Sequence, residues 1–324
     1  MHATTFLKEK IHAAFHNSSY RFEPQELYEP IAYSLSQGGK RIRPILTLMA
    51  CDLFEGDIDL AIPPAIGVEI FHNFTLLHDD IMDRAPLRRG METVYKKWDA
   101  NRAILSGDTM LVMAYESISQ VPLQYLPFVL TVFNDTARKV CEGQQYDLNF
   151  ETLSFVTIPD YLNMIRLKTA VLIACCLKVG AIMANAPIAE SEKMYQFGEN
   201  LGIAFQLQDD YLDVFGNSAK FGKEIGGDIG SNKKTFLYIK AFELATGSLK
   251  HELTRLFDLR SHDTEEKVSR VKEIYQQLNL DTLAGEQIAY YLNKATCFLD
   301  LVKVNETSKK ALRELTKEML HRER

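Results

Sequence analysis

Two runs of aspartate sit inside stretches that are otherwise apolar nearly all round, and they restrict the fold more than any other feature. One is Asp79-Asp80-Ile81-Met82-Asp83, preceded by Phe74-Thr75-Leu76-Leu77. The other is Asp209-Asp210-Tyr211-Leu212-Asp213, preceded by Ile203-Ala204-Phe205. A helix that is apolar on every side belongs in the centre of a large bundle. Residues four apart stack on a helix, so Asp79 and Asp83 point the same way, as do Asp209 and Asp213. Carboxylates in such surroundings are costly unless paired or metal-bound. Two such clusters therefore imply a shared cation site. The donors, Asp79, Asp80, Asp83, Asp209, Asp210 and Asp213, are all oxygens, with no cysteine or histidine cluster beside them. That set selects hard cations, magnesium first, with manganese or calcium behind. An EF-hand is excluded, because its glycine and glutamate are missing from their loop positions.

The rest of the chain reads as the bundle those helices need. Apolar spacing predicts helices over 28–37, 43–54, 64–83, 99–119, 126–150, 159–186, 190–215 and 234–245. Three more follow from His262, the last being the charged amphipathic run 306–324. Strand-like alternation is rare and hairpin signals are absent. The expectation is an all-α fold, one helical domain spanning residues 1–324. Hydrophobic residues at 46 % and charged residues at 25 % suit a soluble globular protein of this length. A formal charge of −6 argues against coating nucleic acid. The first residues lack the pattern of a secretory signal. The longest apolar run, 170–177, is broken by Lys178 and is too short for a transmembrane segment. Five scattered cysteines without a CxxC pair suggest neither a disulfide framework nor a zinc site, and point to the cytoplasm.

Positive charges cluster in sequence near the aspartates. Gly38-Gly39-Lys40-Arg41-Ile42-Arg43-Pro44 is a glycine-flexed loop entering a helix, a shape suited to phosphate oxygens. Pro86-Leu87-Arg88-Arg89-Gly90 is a turn presenting adjacent guanidinium groups. Phe221-Gly222-Lys223 and Asp228-Ile229-Gly230-Ser231-Asn232-Lys233 place lysines in a glycine-rich loop, and Lys168-Thr169 adds a lysine and a hydroxyl within an apolar helix. Carboxylates repel phosphates, so metal ions must bridge them while the cationic side chains take the remaining oxygens. The combination describes one or two diphosphate sites.

In this order and spacing the motifs resemble the trans-isoprenyl diphosphate synthases of the polyprenyl synthetase family, most of all the short-chain geranylgeranyl and farnesyl types. The resemblance implies a helical bundle around a central diphosphate and metal cavity, a homodimer, and about three magnesium ions for which manganese can substitute. It implies that Lys40, Arg43, His72 and Arg89 hold isopentenyl diphosphate and that Arg88 contacts the allylic diphosphate. Asp79, Asp83 and Asp209 would be the direct metal ligands. Lys168, Lys223 and Lys233 would bind the leaving diphosphate, and Thr169 and Gln206 would stand beside the developing cation. Gln144 and Asp147 would support them from behind. An aromatic residue at Phe74, a small one at Thr75 and no insertion within Asp79–Asp83 imply a C20 product ahead of C15, with Phe71 deeper on the same helix. At 1.5 Å per residue, Phe74 lies about 7.5 Å along the helix from Asp79. A class I terpene cyclase shares the fold type but has no use for Lys40, Arg43 and His72. A non-catalytic partner subunit would be expected to lose metal ligands, and all six aspartates are present.

Overall fold

The structure is a computed structural model that describes residues 2–17, 20, 22–216, 226–258 and 264–320. It is helical almost throughout, as expected from the apolar spacing. In chain order the helices are α1 (Thr4–Asn17), α2 (Gln25–Ser36), α3 (Ile42–Leu53), α4 (Ile58–Met82), α5 (Val94–Lys97), α6 (Ala100–Ile118), α7 (Leu126–Thr152), α8 (Ile158–Ile165), α9 (Val171–Met183) and α10 (Ile188–Phe215). Between α8 and α9 the chain makes a π turn, Arg166–Ala170. Helices Gly227–Gly230, Phe236–Leu244, Gly247–Asp258, Thr264–Gln277, Leu280–Asp300 and Glu306–Leu320 follow.

Contacts group the chain into two compact units. One comprises Met1–Asp135, Cys175–Tyr195 and Val302–Leu312; the other comprises Thr136–Ala174, Gln196–Leu301 and Arg313–Arg324.

In the first unit α4 packs along α6 and against α3. Asp57 caps α4 by accepting a hydrogen bond from the Asp59 amide at 2.9 Å. The helix therefore begins at Ile58, ahead of the start at residue 64 read from the sequence, and takes Pro63 and Pro64 inside it. Ser117 on α6 donates to the Pro63 carbonyl at 2.8 Å. By length and composition α4 could cross a membrane, but 67 % of its apolar window is buried within the protein. It is a core helix, and its apolarity reflects neighbours on several sides.

In the second unit Tyr161, Ile165, Ile203, Leu207, Phe236 and Ile274 belong to one buried cluster. Thr157 and Asp160 form a reciprocal capping box at the start of α8, with Pro159 in the first turn. Burying each large apolar side chain of such a cluster contributes about 1.5–3 kcal/mol.

Helices α1, α5 and Gly247–Asp258 were not placed from the sequence, and neither was a short hairpin. Leu87–Arg88 and Met91–Glu92 pair as a small antiparallel hairpin. Its two-residue loop has Arg89 at φ 54° and Gly90 at φ 78°, the left-handed pair that a tight hairpin turn requires. Two-residue strands carry no alternation to read.

Candidate active site

Each unit carries one aspartate cluster, and in each the middle residue is set apart from the outer two. On α4 and its C-cap Asp83, His72, Thr75, Leu76, Asp79 and Asp83 remain partly accessible, whereas Phe71, Asn73, Phe74, Leu77 and Asp80 are buried. On α10, Gln206, Asp209 and Asp213 are half-buried, and Asp210 is buried. The helical period explains both patterns: the accessible residues recur at three or four, and the middle aspartate points about 100° from the first outer one and about 60° from the last.

Asp80 is held by Arg88. Its Oδ1 lies 2.8 Å from Arg88 Nε and 2.6 Å from Arg88 Nη2, and the same Nη2 lies 3.5 Å from Asp79 Oδ2. Burial pushes the Asp80 carboxyl up, against the Arg88 hydrogen bond and charge, with Asp79 and Asp83 adding repulsion. Burial works against the Arg88 charge, yet the bond to Asp80 and the surrounding carboxylates hold its pKa above the ordinary value. The two shifts pull opposite ways on the pair; its short contacts identify it as ionic.

The neighbouring Arg89 goes elsewhere. It donates to the Gly38 carbonyl at the start of the glycine loop. Gly39 has φ 126°, a backbone conformation that strains any other residue, and a Cβ there would also displace the Arg89 guanidinium, 2.9 Å away. Lys40 is exposed beyond it, and Arg43 is half-buried in the first turn of α3. His72 is surrounded by cationic groups. Burial first, then Arg43, Arg89, Arg88 and Arg41, hold its imidazole well below the ordinary range and therefore neutral. The first unit thus brings Arg43, Arg88 and Arg89 around His72 and sets Arg88 against Asp79, Asp80 and Asp83, while Lys40 lies exposed three positions before Arg43. Phe74 packs on the buried side of α4, its ring 5.5 Å from Phe71 and 4.9 Å from His78, while Thr75 donates to the His72 carbonyl at 2.8 Å.

In the second unit a hydrogen-bonded chain runs through the predicted residues. Thr169 donates to Gln206 Oε1 at 3.0 Å, Gln206 donates to Asp210 Oδ1 at 2.8 Å, and Tyr161 donates to Asp210 Oδ2 at 2.5 Å. Burial and then the charge of Asp228 push the Asp210 carboxyl up, opposed by Tyr161 and Gln206. Lys168 donates to Asp147 at 2.5 Å, which fixes its ammonium on the π turn. Such turns widen a helix and commonly mark functional sites. Asp213 accepts from the Asp228 amide at 3.0 Å, tying α10 to the loop that ends at the exposed Lys233. Lys223 and the C-terminal residues 321–324 lie outside the described residues.

Three residues here were not selected from the sequence. Glu69 is buried beside the arginines, Tyr161 reads as a core position by its period, and Asp228 sits within a glycine-rich run read for its lysines. The short run Gly226-Gly227-Asp228 was the one available signal among them.

Within each cluster the outer aspartates offer oxygen donors only, beside like charge and partly accessible. Oxygen donors of this kind suit a hard divalent cation. The chain matches the polyprenyl synthetase family over residues 24–278. It belongs to that family. This polyprenyl synthetase chain is 37 % identical over 270 residues to the geranylgeranyl diphosphate synthase of Methanosarcina mazei, covering 82 % of this chain and 81 % of that protein. A crystal structure of a geranylgeranyl pyrophosphate synthase superposes with a TM-score of 0.95 at 43 % identity, over 100 % of both chains. A polyprenyl synthase from Caulobacter crescentus, solved with calcium and isoprenyl diphosphate, gives a TM-score of 0.88 at 28 % identity over 99 % of this chain and 97 % of the other.

Proposed function

We propose that this prenyltransferase joins isopentenyl diphosphate head to tail to an allylic diphosphate, giving an all-trans product with C20 favoured over C15. The observation that carries the reading is the division of labour within each aspartate cluster: outer carboxylates accessible, the middle one fixed. Relatives named geranylgeranyl diphosphate synthases support the C20 assignment. The relative solved with calcium and isoprenyl diphosphate supports a divalent cation beside that ligand class.

Asp79, Asp83 and Asp209 would hold magnesium, about three ions by the family resemblance, with Asp213 nearby. Bound magnesium supplies positive charge that stabilises the departing diphosphate. Arg88, Lys168 and Lys233, with Lys223, would take its other oxygens as the allylic C–O bond ionises. Asp80 then acts by orienting Arg88, and Asp210 by orienting Gln206. Thr169 spends its proton on Gln206, so its remaining lone pairs are available to face a developing allylic cation. Lys40, Arg43, His72 and Arg89 would hold isopentenyl diphosphate, whose double bond attacks that cation before a proton is lost. A neutral His72 can offer an N–H without adding a further charge to the crowded arginines.

A homodimer is part of the same proposal. Ile104, Leu105 and Val112 of α6 and Phe128 of α7 are large apolar side chains left exposed in the first unit. Sedimentation at the mass of one protomer would remove it.

The deciding experiment supplies the purified chain with magnesium, labelled isopentenyl diphosphate and dimethylallyl, geranyl or farnesyl diphosphate in turn, and sizes the products. C20 material is expected, and no incorporation from any primer would defeat the proposal. In the same assay Phe74→Ala should lengthen the product by at least one C5 unit, because it empties space beside the accessible stripe of α4. An active variant with unchanged product would move the floor away from Phe74.

A further inference from the structure

The loop Gly38–Arg43 is an improbable conformation that something must hold. Gly38, Gly39 and Arg41 all have positive φ, at 74°, 126° and 47°. Arg41 is not β-branched but still pays a steric cost in the left-handed region. Its side chain shows what maintains it. One guanidinium nitrogen reaches the Leu35 carbonyl at 2.5 Å, another lies 3.3 Å from Glu69 Oε1, and the guanidinium carbon sits 4.0 Å from the centre of the Phe15 ring. Arg41 therefore ties the exit of the loop to α1, α2 and α4 together.

Glu69 is the acidic partner in that arrangement. It is 3 % exposed and sits one helical turn before His72. Asn73 donates to its backbone carbonyl at 2.8 Å, with the Asn73 amide also 3.5 Å from Oε1. Burial pushes its carboxyl up, and the charges of Arg41, Arg43 and Arg89 pull it back down. Partial desolvation lowers the pKa of Arg89, which still reaches the surface, opposed by Glu69 and reinforced by Arg88, Arg41 and Arg43. Four arginines converge here, and Glu69 offsets part of their repulsion.

We infer that Glu69 is a positioning residue for isopentenyl diphosphate: it anchors Arg41 so that the Gly38–Arg43 loop presents Lys40 and Arg43 to the diphosphate. The inference rests on the proposed function and names a residue that acts through another and does not itself bind substrate. It also has a counter-intuitive sign. A carboxylate near an anion site repels the anion through space, so removing its charge would tighten binding if charge were all that mattered. If anchoring dominates, removing it weakens binding.

The test is Glu69→Gln, nearly isosteric, alongside Arg41→Gln and the double variant, with each substrate varied in turn at saturating magnesium. Glu69→Gln should raise KM for isopentenyl diphosphate about tenfold by replacing a charge-assisted bond with a weaker one. The KM for the allylic substrate should stay at the wild-type value; a general loss of folding would instead lower apparent kcat and raise neither KM. Arg41→Gln should reproduce the effect, and the double variant should be no worse than the poorer single one, since both break one link. An unchanged or lowered KM for isopentenyl diphosphate in Glu69→Gln, or an equal rise for both substrates, overturns the inference. So does full additivity in the double variant. A wild-type chain that incorporates no isopentenyl unit overturns the proposed function itself, and this inference with it. An active wild type with an indistinguishable Glu69→Gln overturns the inference alone.

Discussion

The two aspartate clusters share a five-residue spelling, but their buried middle carboxylates are held by different chemistry. In the first unit Asp80 meets a cation, Arg88, at 2.6 Å and 2.8 Å. In the second Asp210 meets two neutral donors, Tyr161 at 2.5 Å and Gln206 at 2.8 Å. An ion pair cancels charge where it stands; neutral donors satisfy the oxygens, and burial with the Asp228 charge then pushes the Asp210 carboxyl up to about 8, toward its uncharged form. The first cluster therefore depends on one partner, whereas the second spreads its dependence over two hydrogen bonds. A motif read as a string hides this, because the string records the acids and not what answers them.

The largest expected effect tests that dependence. Arg88→Leu strands a carboxylate that is 4 % exposed, and breaking such a pair should cost about 3 kcal/mol of stability. Adding Asp80→Asn should recover most of the loss, because the remaining amide carries no charge to strand. Denaturant midpoints of the two variants provide the comparison. A double variant no better than Arg88→Leu would mean that the arginine is needed for the hairpin and not for Asp80.

A second contrast concerns how closely helices approach the catalytic candidates. In the second unit, a Cβ at Gly143 would lie 2.2 Å from the Lys168 backbone nitrogen, so a residue without a side chain is what lets α7 come this close to the π turn there. In the first, a Cβ at Gly107 would lie 2.4 Å from His78 Nε2, a ring that can turn away. Gly143→Ala should therefore cost about 2 kcal/mol and disturb the Lys168–Asp147 contact, while Gly107→Ala should cost about half as much. Equal midpoints would show that the π turn yields as easily as a side chain.

These contacts also mark what could be read from the chain. The apolar helices and the spacing of the outer aspartates were legible from local period, whereas the roles of Lys168, Asp147, Thr169 and Gln206 came only with the family resemblance, and their pairing, Lys168 with Asp147 and Thr169 with Gln206, emerges from the fold. Glu69 was not: its partner Arg41 is 28 positions away, and a single glutamate on an apolar helix looks like an exposed residue until the loop folds over it. The Tyr161 hydroxyl finds Asp210 across 49 positions, and helical spacing registers only that the ring is buried. The helix Thr4–Asn17 escaped for a related reason, since Leu7 and Ile11 are the two apolar side chains it commits to the core. The hairpin at Leu87–Glu92 is too short for any periodic signal, and its turn was visible only as Arg89-Gly90. Phe74 shows the limit of counting along one helix. Its depth from Asp79 follows from the rise per residue, but its burial beside Phe71 depends on what packs there.

The smallest expected effect bears on the same opening contrast. Tyr161→Phe removes one neutral donor from Asp210 and leaves the ring, the packing and the Gln206 bond in place. The net loss should be about 1 kcal/mol, the ordinary value of one neutral hydrogen bond, and a third of that for Arg88→Leu. Gln206→Leu in the same background removes the remaining side-chain donor, so the two substitutions together should cost more than the sum of each alone. That excess is the signature of shared support, which a lone ion pair cannot produce. A Tyr161→Phe loss as large as that of Arg88→Leu would make the tyrosine the equivalent of the arginine. The two clusters would then differ in residue type but not in physical design.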